Sequence, residues 1–231
     1  MTTDRRLTPF LPLVEGLAAL LGDDCEVVLH DLSAMPETIV AIANGAVTGR
    51  EVGDVPTDLM LKTLRREGNG ALPYRVYTST SRGRILRCMS VPLRDDDGSV
   101  FGLLGVNFDV TALTQVQSRL AQLTGTVPED GAASTGAVDE IFTGDIREVL
   151  DGMLAGILAE TGKSPAEMNR DEKMAVVRRL EEQGAFLVKR SAEQIADGLD
   201  LSRYTIFSYL KEIRRDPAAE VPAEPQEENA G

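Results

Sequence analysis

Between residues 9 and 21 the apolar side chains Phe10, Leu13, Val14, Leu17, Leu20 and Leu21 recur at three- and four-residue spacing, which predicts an amphipathic helix packed on a larger body. The period then changes to that of strands. Short apolar or β-branched runs at residues 25–31, 38–44, 74–80, 85–93 and 100–109 are separated by turn-forming residues, and the connections SRGR and DDDGS read as hairpins. Between the second and third runs, Leu59, Leu61 and Leu64 predict a short helix ending at Gly68, and a further helix is expected over residues 110–123. Five strands with inserted helices, three of the strands in a tight meander, predict an α+β fold on an antiparallel five-stranded sheet, not a repeat of βαβ units. In the last run both alternate sets are apolar: Val100, Leu104, Val106 and Phe108 in one, Phe101 and Leu103 in the other. Such a strand has no wet face, so the N-terminal helix or a second subunit is expected to cover it.

Small, polar and acidic residues fill positions 124–140, the composition of a linker. Helical periodicity resumes at Ile141 and carries clear punctuation up to Arg215. Asn169 is placed to cap a helix that buries Met174, Val177 and Leu180 and stops at Gly184. Ser191 with Gln194 has the spacing of a capping box for a helix containing Ile195, Ala196 and Leu199. Asp200 and Leu201 form a tight turn, and Ser202 caps a last helix burying Ile206, Leu210 and Ile213. Two short helices joined this way, with an apolar turn residue beneath both, follow the helix-turn-helix plan. The expected organisation is a sensor-like domain over residues 9–123, a linker over 124–138, an all-α domain over 139–215 and a disordered acidic tail over 216–231.

Charge sharpens this division. The 231 residues include 37 acidic and 24 basic side chains, a formal charge of -13, so most of the surface repels nucleic acid and anionic lipid. Residues 169–216 reverse the balance with ten basic and nine acidic side chains. Cys25 and Cys88 are too few for a disulfide scaffold or a four-cysteine zinc site and fit a reducing compartment. No apolar run of about 18 residues occurs. The stretch after Arg5 and Arg6 is broken by Glu15 and two prolines and lacks a cleavage pattern, so a cytoplasmic protein with no membrane partner is expected. GLLGVN has neither the spacing nor the flanks of a phosphate loop, and no catalytic or metal-ligand set is legible. Neither an enzyme nor a bound cofactor is expected.

If the last helix enters a major groove, Ser202 caps it and Arg203, Tyr204 and Thr205 meet base edges, with Ser208 one turn on. Lys189, Arg190, Lys211, Arg214 and Arg215 are then suited to phosphates. The alternative is a helical bundle whose basic residues form a solvated face and whose partner is a protein. The string SAEQIADGLDLSRYTIFSYLKEIRR resembles the helix-turn-helix of bacterial regulators at Ala196, Leu201, Ser202, Arg203 and Thr205 and at the core positions Ile206, Tyr209 and Leu210. Asp200 stands where the turn usually has glycine, and Tyr204 and Ser208 depart from the usual residues, which leaves the operator sequence open.

Upstream, CEVVLHDL, IANGAVTGREVG and GRILRCMSVPLRDDDGSVFGLLGVNFD, followed by DEKMAVVRRLEEQGAFLVKRSAEQIA, resemble the YheO-like PAS family of DauR-type bacterial transcriptional regulators. The resemblance implies a PAS sensor for a small-molecule effector ahead of a helix-turn-helix that reads double-stranded DNA; the doubly apolar strand and the small DNA module add the expectation that the chain binds as a homodimer. His30, Asn44, Cys88 and Asn107 are the candidate effector contacts. His30, the only histidine, reads either as a contact, a haem or metal ligand or a pH-sensitive group, or as a satisfied structural residue. Asn44 and Gly49 also suit turns with positive φ, and Asp109 suits a helix cap.

Overall fold

The computed structural model describes residues 4–67, 74–125 and 137–215. Its sheet half contains β1 (Cys25–Asp31), β2 (Ile39–Ala43), β3 (Arg75–Ser81), β4 (Arg84–Arg94) and β5 (Val100–Asp109), with α1 (Leu11–Leu21), α2 (Asp58–Glu67) and α3 (Thr111–Thr124). The helical half contains α4 (Ile146–Thr161), α5 (Arg170–Glu182), α6 (Ser191–Gly198) and α7 (Arg203–Arg215). The five strands pair antiparallel, as expected, and stand in the order β2-β1-β5-β4-β3. The β3–β4 hairpin turns on Arg82 and Gly83, both with positive φ, the geometry that a two-residue connection requires.

A sixth strand lies where the composition suggests only linker. β6 (Ala137–Asp139) pairs parallel with β3 at the sheet edge. Three residues are too few for alternation to register. The predicted helix end at Gly68, most of the linker and the acidic tail lie outside the described residues.

Both faces of β5 are covered, and by this chain itself. Phe101 and Leu104 pack with Leu7, Val14 and Ala18 of the N-terminal segment, whereas Val100 and Leu103 pack against Leu32 and against Met60 and Leu64 of α2. The doubly apolar strand therefore needs no second subunit. The N-terminal helix also differs from its prediction: residues 5–10 form a 3-10 turn, and α1 buries Val14 and Ala18 while Leu13, Leu20 and Leu21 remain exposed.

In the helical half, Asn169 and Glu172 form a reciprocal capping box on α5, and the chain leaves α5 through Gly184 at φ +81. The capping box expected at Ser191 does not form. Arg190 occupies the N-cap in a left-handed conformation, and Gln194 instead donates to the Arg147 carbonyl and to Asp151 on α4. The turn before α7 is as read: Asp200 has φ +52, and Ser202 Oγ accepts from the Thr205 amide at 3.1 Å.

The two halves share one apolar core. Val55 and Leu61 from the sheet half pack with Val149, Leu150, Val177, Leu180, Ile206 and their neighbours. Gly184 is tight against this junction, because a Cβ there would lie 2.4 Å from the Leu61 carbonyl oxygen. α2 thus belongs to both halves at once.

Candidate functional site

One sheet face, formed by Glu26, Val28 and His30 of β1 and by Leu103, Gly105 and Asn107 of β5, looks toward α2 across a cavity of about 470 Å3. That volume lies within the range of small-molecule sites, about 300–1,000 Å3. Room for it comes partly from Gly105, where a Cβ would meet Val28 at 2.8 Å. Leu59, Met60 and Thr63 of α2 line the opposite wall, and Glu140 and Phe142, just beyond β6, close one end.

The polar end is an ordered cluster. Glu26, fully buried, pairs with Arg50 at 2.7 Å, accepts from Asn107 Nδ2 at 2.8 Å and from the Thr48 hydroxyl, while Arg50 Nε donates to Thr48 Oγ1 at 3.0 Å. Arg50 also lies over the Phe142 ring, 4.8 Å from its centre. These four hydrogen bonds satisfy charges that would otherwise be costly to bury. Glu140 accepts from Thr57 Oγ1 at 2.6 Å and from the Tyr77 hydroxyl at 3.2 Å. Burial pushes its carboxyl up to about 7, against opposing effects of the Thr57 hydrogen bond and the Arg50 charge. The next amide, Ile141 N, donates to Asp58 at the start of α2 at 2.8 Å.

Of the four predicted contacts, His30 and Asn107 line this cavity. Burial, and then the nearby Arg50 charge, press His30 down to about 3, so it is neutral at ordinary pH, with Nδ1 2.8 Å from Thr38 Oγ1. Asn44 lies outside the lining and at φ +55, donating to the carbonyls of Gly22 and Cys25. Cys88 faces Asn107 in register but packs with Val47, Leu86 and Phe142, and burial raises its thiol pKa. Among the described residues no group of three His, Cys, Asp or Glu side chains is arranged to hold a metal.

The second site is the outer face of α7. Ile206, Tyr209, Leu210 and Ile213 are buried, so at 100° per residue Tyr204, Ser208, Lys211 and Arg215 point away from the core. Tyr204 is 84% exposed. Ser202 and Thr205 are engaged with each other in the cap. Arg203 turns toward α6, paired with Glu193 at 2.7 Å and stacked 5.3 Å from the centre of Phe207. Arg214 pairs with Glu181 at 3.0 Å. Lys189 and Arg190 are exposed just before α6, on the approach to the same helix pair.

The YheO-like PAS domain matches residues 1–125 and an HTH domain matches residues 149–211. The chain belongs to the YheO-like PAS family. It is 26% identical over 211 residues to YheO of Escherichia coli strain K12, covering 90% of this chain and 85% of that one. It is 26% identical over 215 residues to the transcriptional regulator DauR of Pseudomonas aeruginosa, covering 91% and 96%.

In this YheO-like PAS chain the sequence reading misses Arg50, Thr57, Tyr77, Glu140 and Phe142 in the cavity wall, Glu26 bonded behind it to Arg50 and Asn107, and the half-exposed Phe207 on α7. One of these has a visible signal. Glu26 shares strand parity with Val28 and His30, so a charge on an apolar strand face calls for a buried partner. Arg50 and Glu140 arrive from irregular segments, which periodicity does not reach.

Proposed function

We propose that this chain is a transcriptional regulator that binds a small-molecule effector in the cavity between its sheet and α2, and reads double-stranded DNA as a homodimer through α7. The observation that carries the proposal is the outward face of α7. In a chain of charge -13, that face offers Tyr204, Ser208, Lys211 and Arg215 to solvent, and no ion pair holds Lys211 or Arg215 among the described residues. The name of the DauR relative agrees with this reading. Tyr204 and Ser208 are assigned to base edges and Lys189, Arg190, Lys211 and Arg215 to phosphates.

The homodimer rests on α3, not on the sheet. α3 buries no residue and exposes Leu113, Val116, Leu120 and Leu123 at alternating three- and four-residue steps, 57–84% exposed, with no acidic side chain on the helix. That spacing is self-complementary, and an acidic chain approaches its own copy most readily where acids are missing. Two recognition helices would then address half-sites about 34 Å apart. Leu120→Glu should convert a dimer to a monomer in gel filtration with light scattering; a dimer that survives the change would remove α3 from the interface.

The test of DNA reading is fluorescence anisotropy with a labelled duplex across a salt series. Lys211→Ala is expected to weaken every sequence alike and to reduce the salt slope by about 0.9. A second reading, in which the helices bind a protein, draws on the exposed aromatics Tyr204 and Phe207, residue types enriched at protein interfaces. It predicts no response of duplex binding to Lys211→Ala.

A further inference from the structure

Glu181, near the end of α5, is among the few charged side chains buried in the helical half. Its Oε1 is shared by two arginines from opposite sides: Arg65 of α2 donates from Nη2 at 2.6 Å, and Arg214 of α7 donates from Nε at 3.0 Å. Arg65 also clamps the Glu181 backbone carbonyl through Nε at 3.0 Å. The carboxylate side chain is 6% exposed, whereas the two arginine side chains are 40% and 57% exposed. One oxygen therefore joins the helix that lines the cavity to the helix that carries the outward basic face.

The two arginines differ in how firmly they are held. Arg65 has two contacts to Glu181, side chain and backbone, on a helix wedged between the cavity and the shared core. Arg214 holds Glu181 through one hydrogen bond, in the last turn of α7 next to Arg215. A guanidinium paired with a carboxylate is neutralised toward a phosphate, and releasing it adds one cation to the surface that meets DNA. Two guanidiniums on one oxygen also compete, so a shift of α2 that tightens or loosens Arg65 changes the hold on Arg214. Leu59, Met60 and Thr63, on the cavity side of α2, are the residues an occupant would displace.

We propose that Glu181 is a positioning residue that withholds Arg214 from DNA phosphate, and that α2 adjusts this hold through Arg65. The proposal rests on the DNA reading above. It describes regulation of that site, and it places the point of contact between cavity and recognition helix at a single carboxylate.

The experiment measures duplex affinity of the full chain against salt concentration for the parent, Glu181→Gln, Arg214→Ala and the double variant, with thermal melting run alongside. Glu181→Gln is expected to steepen the salt slope by about 0.9 and to raise affinity about five- to tenfold at 0.1 M salt, the effect of one added phosphate contact. In the Arg214→Ala background the same change should do nothing. Arg214→Ala alone, a substitution at an exposed position, should leave the parent slope unchanged, and this arm stands even where Glu181→Gln does not fold. The proposal is overturned if Glu181→Gln leaves the slope unaltered, if it acts equally without Arg214, or if Arg214→Ala alone lowers the slope, which would show that Arg214 already contacts phosphate. A parent chain with no salt-dependent duplex binding overturns the DNA reading and this proposal with it; intact parent binding with any of the three results above overturns this proposal alone.

Discussion

The sheet half buries a network of charges around its cavity, whereas the helical half, Glu181 apart, displays its charges. Around the cavity, Glu26, Arg50, His30, Asn107 and Glu140 are all nearly inaccessible and hydrogen-bonded to one another or to Thr38, Thr48, Thr57 and Tyr77. In the helical half the interior is almost wholly aliphatic, from Val149 through Leu180 to Ile213, and the cations lie outside. The contrast is what the proposed function requires of each half. A cavity for a small molecule needs a few fixed polar groups in a low-dielectric wall, whereas a surface that meets a polyanion needs mobile cations in water.

The largest expected effect tests the buried side of the contrast. Arg50→Met leaves Glu26 buried without its counter-charge and should lower stability by about 3–5 kcal/mol in urea unfolding. Leu180→Ala, in the aliphatic core, should cost a similar amount, about 2–5 kcal/mol, by opening a cavity. An Arg50→Met variant within about 0.5 kcal/mol of the parent would mean that the polar cluster is solvated in solution.

Next in size is the pH dependence at Glu140. Its carboxyl is raised in the fold from 4.5 to about 7, so the protonated form favours the folded state. That contribution is fully present below about 4.5 and is lost as pH rises through about 7. Stability of the parent relative to Glu140→Gln should fall by at most about 3 kcal/mol between pH 4.5 and 7.5. A difference that stays flat over that interval would place Glu140 in water rather than in the cavity wall.

On the displayed side, Tyr204→Ala should cost about 1–3 kcal/mol on a preferred DNA sequence and little on others. Lys211→Ala should have the smaller and sequence-independent effect already described. Equal losses on every duplex for both variants would erase the division between base and phosphate contacts.

How much of this is legible in the sequence differs between the halves for the same physical reason. α7 and its turn read correctly because period, cap and turn all operate within a few residues: Ser202, Asp200 and the Ile206, Leu210, Ile213 stripe stand where local rules put them. β1 and β5 read to the residue because their apolar runs end in turns. The cavity does not read that way. Glu26, Arg50, Asn107 and Glu140 come from four places along the chain, brought together by the pairing of β1 with β5, by that of β6 with β3 and by the ion pair that holds Arg50 to Glu26. At Ser191 a local rule misleads, because Gln194 finds better partners on α4 than the cap would give it. The apolar spacing of α1 and α3 shows that helices form, but not which of their leucines remain exposed.

Whether the helical half reads DNA under the control of the sheet half is measured most directly by recovery of genomic fragments with the purified chain. The protein is mixed with sheared bacterial DNA at near-physiological salt with excess non-specific competitor, and bound fragments are sequenced, in parallel with and without a metabolite extract. Enrichment of a two-fold-symmetric site is expected, with half-sites about one helical turn apart and with the extract changing the yield. No enrichment in either arm, from a chain shown to be folded, would contradict the DNA reading.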